Sequence, residues 1–100
     1  MGEEICEICG YRSQLGAIEK RYTIPREVTE EAGMPESPTL RMCLNCRLEL
    51  DKWYSVEVAK MVYDTKLQRF RYKTSVEMAQ EYQSAFNGFV TYKRRREKVG

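Results

Sequence analysis

The chain has 100 residues, 17 Lys+Arg, 15 Asp+Glu and no histidine, for a formal net charge of +2. This length fits one domain with a limited core, so a bound metal would add stability that packing alone supplies poorly. A hydrophobic content of 42% argues for a globular fold rather than disorder. No apolar run approaches the ~20 residues of a membrane span. The missing imidazole removes the commonest general base near neutral pH and the commonest nitrogen ligand for metals, which weighs against most hydrolytic mechanisms.

The charge is unevenly spread. Residues 1–65 carry 8 basic and 12 acidic side chains, and residues 66–100 carry 9 and 3. The net charges are −4 and +6. An acidic first part and a basic last part point to an anionic partner for the latter. The acidic N-terminus lacks the long apolar stretch of a secretion signal, so a cytoplasmic, reducing setting is expected, where thiolates bind metals rather than form disulfides.

Residues 1–4 read as a frayed end. Ile5-Cys6-Glu7-Ile8-Cys9-Gly10 reads as a knuckle, a tight turn whose Gly10 can take a positive φ. Ala17 to Ile24 reads as a short strand ended by Pro25, and Arg26 to Ala32 as a short helical turn. The cluster from Gly33 to Pro38 is a loop. Thr39 to Met42 reads as a second strand leading into Met42-Cys43-Leu44-Asn45-Cys46-Arg47. From Leu44 to Tyr63 the spacing of Leu48, Trp53, Tyr54, Val58, Met61 and Val62 predicts a helix, with Leu50 blurring the stripe. Asp64 to Lys73 is open between strand, helix and linker, although Phe70 and Tyr72 alternate with Arg69, Arg71 and Lys73 as in a strand. Thr74-Ser75-Val76-Glu77 is a capping box. It opens a helix from Ser75 to Arg95 with an apolar stripe of Met78, Ala79, Tyr82, Phe86, Phe89 and Val90 and a weak point at Asn87-Gly88. No internal repeat is visible.

The two Cys-x-x-Cys pairs hold all four cysteines of the chain. Cys6, Cys9, Cys43 and Cys46 match the ligand set of one tetrahedral Zn²⁺. A closed shell of four thiolates leaves no position for water or substrate, so the ion is expected to be structural. Iron could replace zinc in the same shell, and free buried thiols are a further alternative. A redox pair fits less well, because Glu3, Glu4 and Glu7 beside the first pair disfavour a low thiol pKa.

Cys-x-x-Cys-Gly, a strand ending in Pro, and a second Cys-x-x-Cys opening a helix together resemble the zinc-stabilised treble clef of the HNH endonucleases. The resemblance covers about residues 5–55. It implies the four cysteines as zinc ligands. In that family a histidine three residues before the proline is the general base; here that position is Tyr22. A further histidine often follows the last cysteine; here it is Arg47. The middle asparagine falls near Pro38. The resemblance is thus to a degenerate relative that keeps the metal site and lacks the catalytic set, since a tyrosine with an ordinary pKa near ~10 is a poor base at pH 7.

The sequence therefore predicts a small α+β fold: a treble-clef-like Cys₄ zinc module of knuckle, short hairpin and helix over residues 1–63, then a basic, mainly helical segment over 64–100 packed on it as part of one domain. The expected function is non-enzymatic. Arg69, Arg71, Lys73, Lys93, Arg94, Arg95 and Arg96 are candidate nucleic-acid contacts, with Phe70 and Tyr72 placed to stack on bases. The plainer alternative for the tail is a solvated helix end. Trp53, Tyr54, Tyr63, Phe70, Tyr72, Tyr82, Phe86, Phe89 and Tyr92 read chiefly as core. The stripe of the last helix could also pair with a second copy or another protein. A residual metal-dependent nuclease is the remaining expectation. Glu30-Glu31 and Glu49-Asp51 read as a solvated face.

Overall fold

The structure, a computed structural model, describes the backbone of residues 4–13 and 18–99 and side chains through residue 95. The expectations for residues 1–3, for Ala17 at a strand start and for the Arg96 side chain lie outside the described residues. Among the described residues nine elements follow in order: β1 (Glu4–Ile5), β2 (Arg12–Ser13), β3 (Ile18–Tyr22), α1 (Arg26–Glu31), β4 (Thr39–Cys43), α2 (Leu44–Glu57), β5 (Met61–Asp64), β6 (Arg69–Tyr72) and α3 (Ser75–Val99). The strands form three antiparallel pairs: β1 with β2, β3 with β4, and β5 with β6. This is the small α+β architecture of knuckle, hairpin and helix followed by a C-terminal helix.

Glu4 is not frayed; it pairs with Ser13 and so closes the knuckle from behind. In the central hairpin Ile18 lies opposite Cys43 and Tyr22 opposite Thr39. Pro25 opens α1, and a Schellman turn closes it. The Gly33 N–H donates to the Glu30 carbonyl and the Met34 N–H to that of Thr29. Gly33 sits at φ +66, a conformation that costs a glycine little.

α2 ends at Glu57, six residues before the expected end at Tyr63. Met61 and Val62 leave the helix because their stretch finds a partner in Arg69–Tyr72, and the Ala59 N–H turns to the Glu81 carboxylate at 3.1 Å. The apolar face of α2 is also shifted. Cys46, Leu50 and Tyr54, four residues apart, are buried, whereas Leu48 is 58% exposed. Leu50, which blurs the sequence stripe, is the centre of the real one.

Residues 64–73 run from the last residue of β5 through the turn and β6 to Lys73 just beyond it. The turn is set by Asp64, whose Oδ1 accepts the N–H groups of Lys66 and Leu67 at 2.9 and 3.1 Å. Gln68 completes it in the left-handed region at φ 53. The capping box forms as predicted. The Glu77 N–H donates to Thr74 Oγ1 at 3.2 Å, and the Thr74 N–H to Glu77 Oε1 at 2.9 Å.

α3 then runs through Asn87-Gly88 without a break for 25 residues. It packs against α1 and α2. Ala85, Phe86 and Phe89 join Ile8, Ile18, Met42, Leu50 and Tyr54 in one buried cluster. Trp53 fastens the two helices. Its Nε1–H donates to the Ala85 carbonyl at 2.8 Å, and its ring meets Phe89 and Tyr92 with centroids 5.9 and 5.4 Å away. The apolar stripe of the last helix is thus largely consumed inside the chain.

Candidate metal centre

Each cysteine pair sits where the local backbone turns sharply. Cys6 and Cys9 occupy the loop between β1 and β2. The Gly10 N–H donates to the Cys6 carbonyl at 2.9 Å, the Cys6 N–H donates to the Tyr11 carbonyl at 2.8 Å, and Gly10 takes φ +81. That left-handed φ is a conformation side-chain-bearing residues rarely adopt, which is the role of the glycine after the second cysteine. Cys43 is the last residue of β4 and the N-cap of α2, with extended backbone (φ −73, ψ 165), and Cys46 lies in the first turn of the helix. The strand-to-helix junction therefore aims both sulfurs to one side.

Glu7 joins the two pairs across 34 residues of sequence. Its N–H donates to the Arg41 carbonyl at 2.8 Å, and its Oε2 accepts the Arg41 N–H at 2.7 Å. This two-way clamp fixes the knuckle against β4 just before Cys43.

The outcome is a cluster in which the sulfurs of Cys6, Cys9, Cys43 and Cys46 all lie within 4.8 Å of one another. All four cysteines are free. The Cys9 and Cys43 sulfurs are 3.7 Å apart. A disulfide needs ~2.05 Å, whereas the edge of a tetrahedron with ~2.3 Å metal–sulfur bonds is about 3.8 Å. The donor set and its spacing thus fit a four-thiolate metal ion and do not fit a bridged pair.

The electrostatics differ from one sulfur to the next. Burial pushes the Cys6 thiol up, but the backbone N–H groups of Cys43, Cys9 and Ile8 hydrogen-bond its sulfur and bring it down to about 7. Burial pushes the Cys9 and Cys46 thiols up, and in Cys46 the neighbouring sulfurs add to the rise. Four sulfurs this close repel one another once ionised, and a divalent cation removes that penalty. Four thiolates and a divalent ion leave a charge of −2.

Lys93 supplies a nearby compensating charge. It reaches from α3 to Glu49 on α2, Nζ to Oε2 at 3.1 Å, and lines a cleft of about 280 Å³ with Cys9, Cys43, Cys46 and Glu49. Burial opposes its charge, but Glu49 and the sulfurs of Cys46 and Cys9 favour it, and its pKa ends above the ordinary lysine value. Nothing in the spacing of the sequence joins Lys93 to the cysteines; only the packing of α3 on α2 does so.

Tyr22 and Arg47 hold structural contacts. The Tyr22 hydroxyl donates to Glu36 Oε2 at 2.9 Å, and that bond pushes its pKa up, further from a base. Arg47 pairs with Glu19 on β3 at 2.7 Å. Arg21, also on β3, donates to the Arg47 carbonyl at 3.2 Å and pairs with Asp51. These contacts tie the hairpin to α2.

Of the seven cations singled out from the sequence, the six with described side chains separate into two groups. Arg71 pairs with Asp64 and Glu77, Lys73 with Glu81, and Lys93 with Glu49. Arg69, Arg94 and Arg95 are exposed and, among the described residues, have no ion pair. Of these six, Lys93 lies beside the cysteines, and the others do not line that cleft. Three aromatics expected in the core are also outside it: Tyr63, Phe70 and Tyr72 are 50%, 65% and 73% exposed. A two-stranded hairpin has one face to cover, and here the other face is turned to α3. Among the described residues no helix is long and apolar enough to cross a membrane.

Comparison with family models, with curated proteins and with solved structures finds no match to this chain.

Proposed function

We propose that the protein is a non-enzymatic domain, built on one structural Zn²⁺ held by Cys6, Cys9, Cys43 and Cys46, that binds nucleic acid through its basic C-terminal third. Thiolate softness and the tetrahedral spacing favour Zn²⁺ over harder divalent ions. The closed Cys₄ shell leaves no coordination position for chemistry. The degenerate HNH-like pattern supports the same reading, because Tyr22 is engaged by Glu36 and Arg47 by Glu19.

The observation that carries nucleic-acid binding is the charge left over after internal pairing. Arg69, Arg94 and Arg95 are exposed and carry no carboxylate partner among the described residues. Fluorescence anisotropy of the zinc-loaded chain with labelled DNA and RNA, repeated at rising salt, tests this. Binding should weaken with salt as phosphates regain their counterions. Arg94→Glu with Arg95→Glu should weaken it at every salt concentration. No binding at low salt refutes the proposal.

A further inference from the structure

Lys93 stands where the pattern of its helix calls for an apolar side chain. It follows Phe86 by seven residues and Phe89 by four, the spacings of one helix face. Both phenylalanines are buried, at 7% and 1% exposure. The stripe therefore carries an ammonium group into the seam between α3 and α2. The Lys93 side chain is 12% exposed, and that of Glu49, the carboxylate it reaches, is 41% exposed. A pair with one member so open to water contributes little, whereas taking an ammonium out of water is costly. A lysine stem is long enough to carry its charge outward, yet this Nζ stays inside, 3.1 and 3.3 Å from the two Glu49 oxygens. Glu49 alone does not account for that placement.

The sulfurs do. The cleft that Lys93 enters is lined by Cys9, Cys43 and Cys46 as well as by Glu49, and among its described lining residues Lys93 is the one cation. Besides the hydrogen bond to Glu49, the charges of Cys46 and Cys9 act on it. Four thiolates around a divalent ion carry −2, and Glu49 adds −1; the ammonium brings that −3 back to −2. The cleft is also the side on which the cluster meets solvent, because Cys9, the one cysteine of the four that is not fully buried, lies along it.

We propose that Lys93 is an outer partner of the metal centre: its ammonium stands on the open side of the thiolate cluster, offsets the excess negative charge and so sets how tightly the ion is held. This rests on the reading of Cys6, Cys9, Cys43 and Cys46 as metal ligands and is independent of nucleic-acid binding. An ammonium has no lone pair to give a metal, so Lys93 is a positioning residue and not a ligand. The four ligands all come from the knuckle and the β4–α2 junction, yet the site is completed from α3, and retention of the ion depends on the seating of the last helix.

The test uses the full chain loaded with Zn²⁺ and a chromophoric chelator that competes for the ion. Lys93→Met keeps the apolar stem and removes the charge. It should lower the metal affinity about 10–100-fold, the usual cost of losing a group that supports a ligand from outside. Release of the ion is coupled to unfolding, so a broken Lys93–Glu49 pair would by itself lower the apparent affinity. Glu49→Gln breaks the same pair, but it leaves the ammonium in place and removes a negative charge from the cleft. It should hold the ion at least as tightly as wild type. Cobalt in place of zinc gives a second readout. The thiolate-to-cobalt charge-transfer band should move to lower energy in Lys93→Met, because the cation no longer stabilises the sulfur electrons, and should not do so in Glu49→Gln. An unchanged affinity or an unmoved band in Lys93→Met, or an affinity that Glu49→Gln also lowers, overturns the role of Lys93 and leaves the metal centre standing. The Glu49→Gln arm decides even where Lys93→Met does not fold. A wild-type chain that takes up no metal overturns the metal centre and the role of Lys93 together.

Discussion

Gly88→Ala should stabilise the protein. Gly88 lies in the interior of α3, a helix of 25 residues, and its φ is not positive. A glycine in a helix interior costs about 0.8–1 kcal/mol relative to alanine, because it has more backbone freedom to lose. The space is available. A Cβ built at Gly88 would meet Trp53 Cζ2 at 3.5 Å, an ordinary van der Waals contact. It would enter a shallow groove lined by Trp53, Glu57, Ala85 and others, so the methyl adds a little apolar contact rather than a clash. The expected gain is about 1 kcal/mol, which in a domain of this size corresponds to a rise in Tm of roughly 4–8 °C. Urea titration followed by Trp53 fluorescence measures it, with both proteins held zinc-saturated so that metal occupancy does not differ. Equal or lower stability of the alanine variant would refute the reasoning, because it would mean that α3 bends at Asn87-Gly88 and needs the glycine to approach Trp53.

Four other perturbations test separate parts of the structure. Removing the metal with a chelator, or replacing Cys43 with Ser, should unfold the chain, since a structural zinc supplies on the order of 10 kcal/mol and a domain has only about 5–15 in total; circular dichroism showing an intact fold without metal would contradict the site. Cobalt loading should give the intense visible absorption of a tetrahedral thiolate complex, and octahedral-type weak absorption would count against four sulfur ligands. Gln68→Gly should relieve a left-handed residue at φ 53 and tighten the β5–β6 turn by about 0.5–1 kcal/mol, read as slower hydrogen exchange of the hairpin amides. Thr74→Ala removes the oxygen that caps the Glu77 N–H and should cost about 1 kcal/mol; the same substitution should speed exchange in the first turn of α3, and unchanged exchange there would show that the cap carries no stability.

The parts of the fold that could be read from the sequence are those fixed by local chemistry. Cys-x-x-Cys-Gly specifies a turn with a positive φ at its end, and Gly10 has it. Thr74 and Glu77 specify a helix start three residues apart, and both of their hydrogen bonds form. Pro25 and Gly33 bracket α1 because each restricts or frees the backbone on its own. The parts that were not legible depend on partners distant in sequence. Met61 and Val62 fit the periodicity of α2 but become β5 because Arg71 and Tyr72 lie ready to pair with them. Gly88 looks like a break, yet the contact of α3 with Trp53 and the buried Phe86 and Phe89 hold the helix straight through it. In the candidate site, the four cysteines were visible as two motifs, whereas the Glu7–Arg41 clamp that brings them together spans 34 residues and left no pattern.

The same distinction explains why the charge of the last third misleads when it is counted. A total of +6 over residues 66–100 makes every Lys and Arg there look available. The fold then spends Arg71 and Lys73 on Glu77 and Glu81, one and two turns into α3, and spends Lys93 on Glu49 beside the sulfurs. Glu77 serves twice, as capping residue and as anchor for Arg71. Because the cations hold the hairpin from behind, the rings on its other face need no internal partner and stay open. The basic side chains thus act on the aromatic ones mainly by orienting them, and the dependence runs back to the metal centre. α3 is seated on α2, α2 begins at Cys43 and Cys46, and a change at the sulfurs should therefore reach the hairpin through two helices without touching either of its strands.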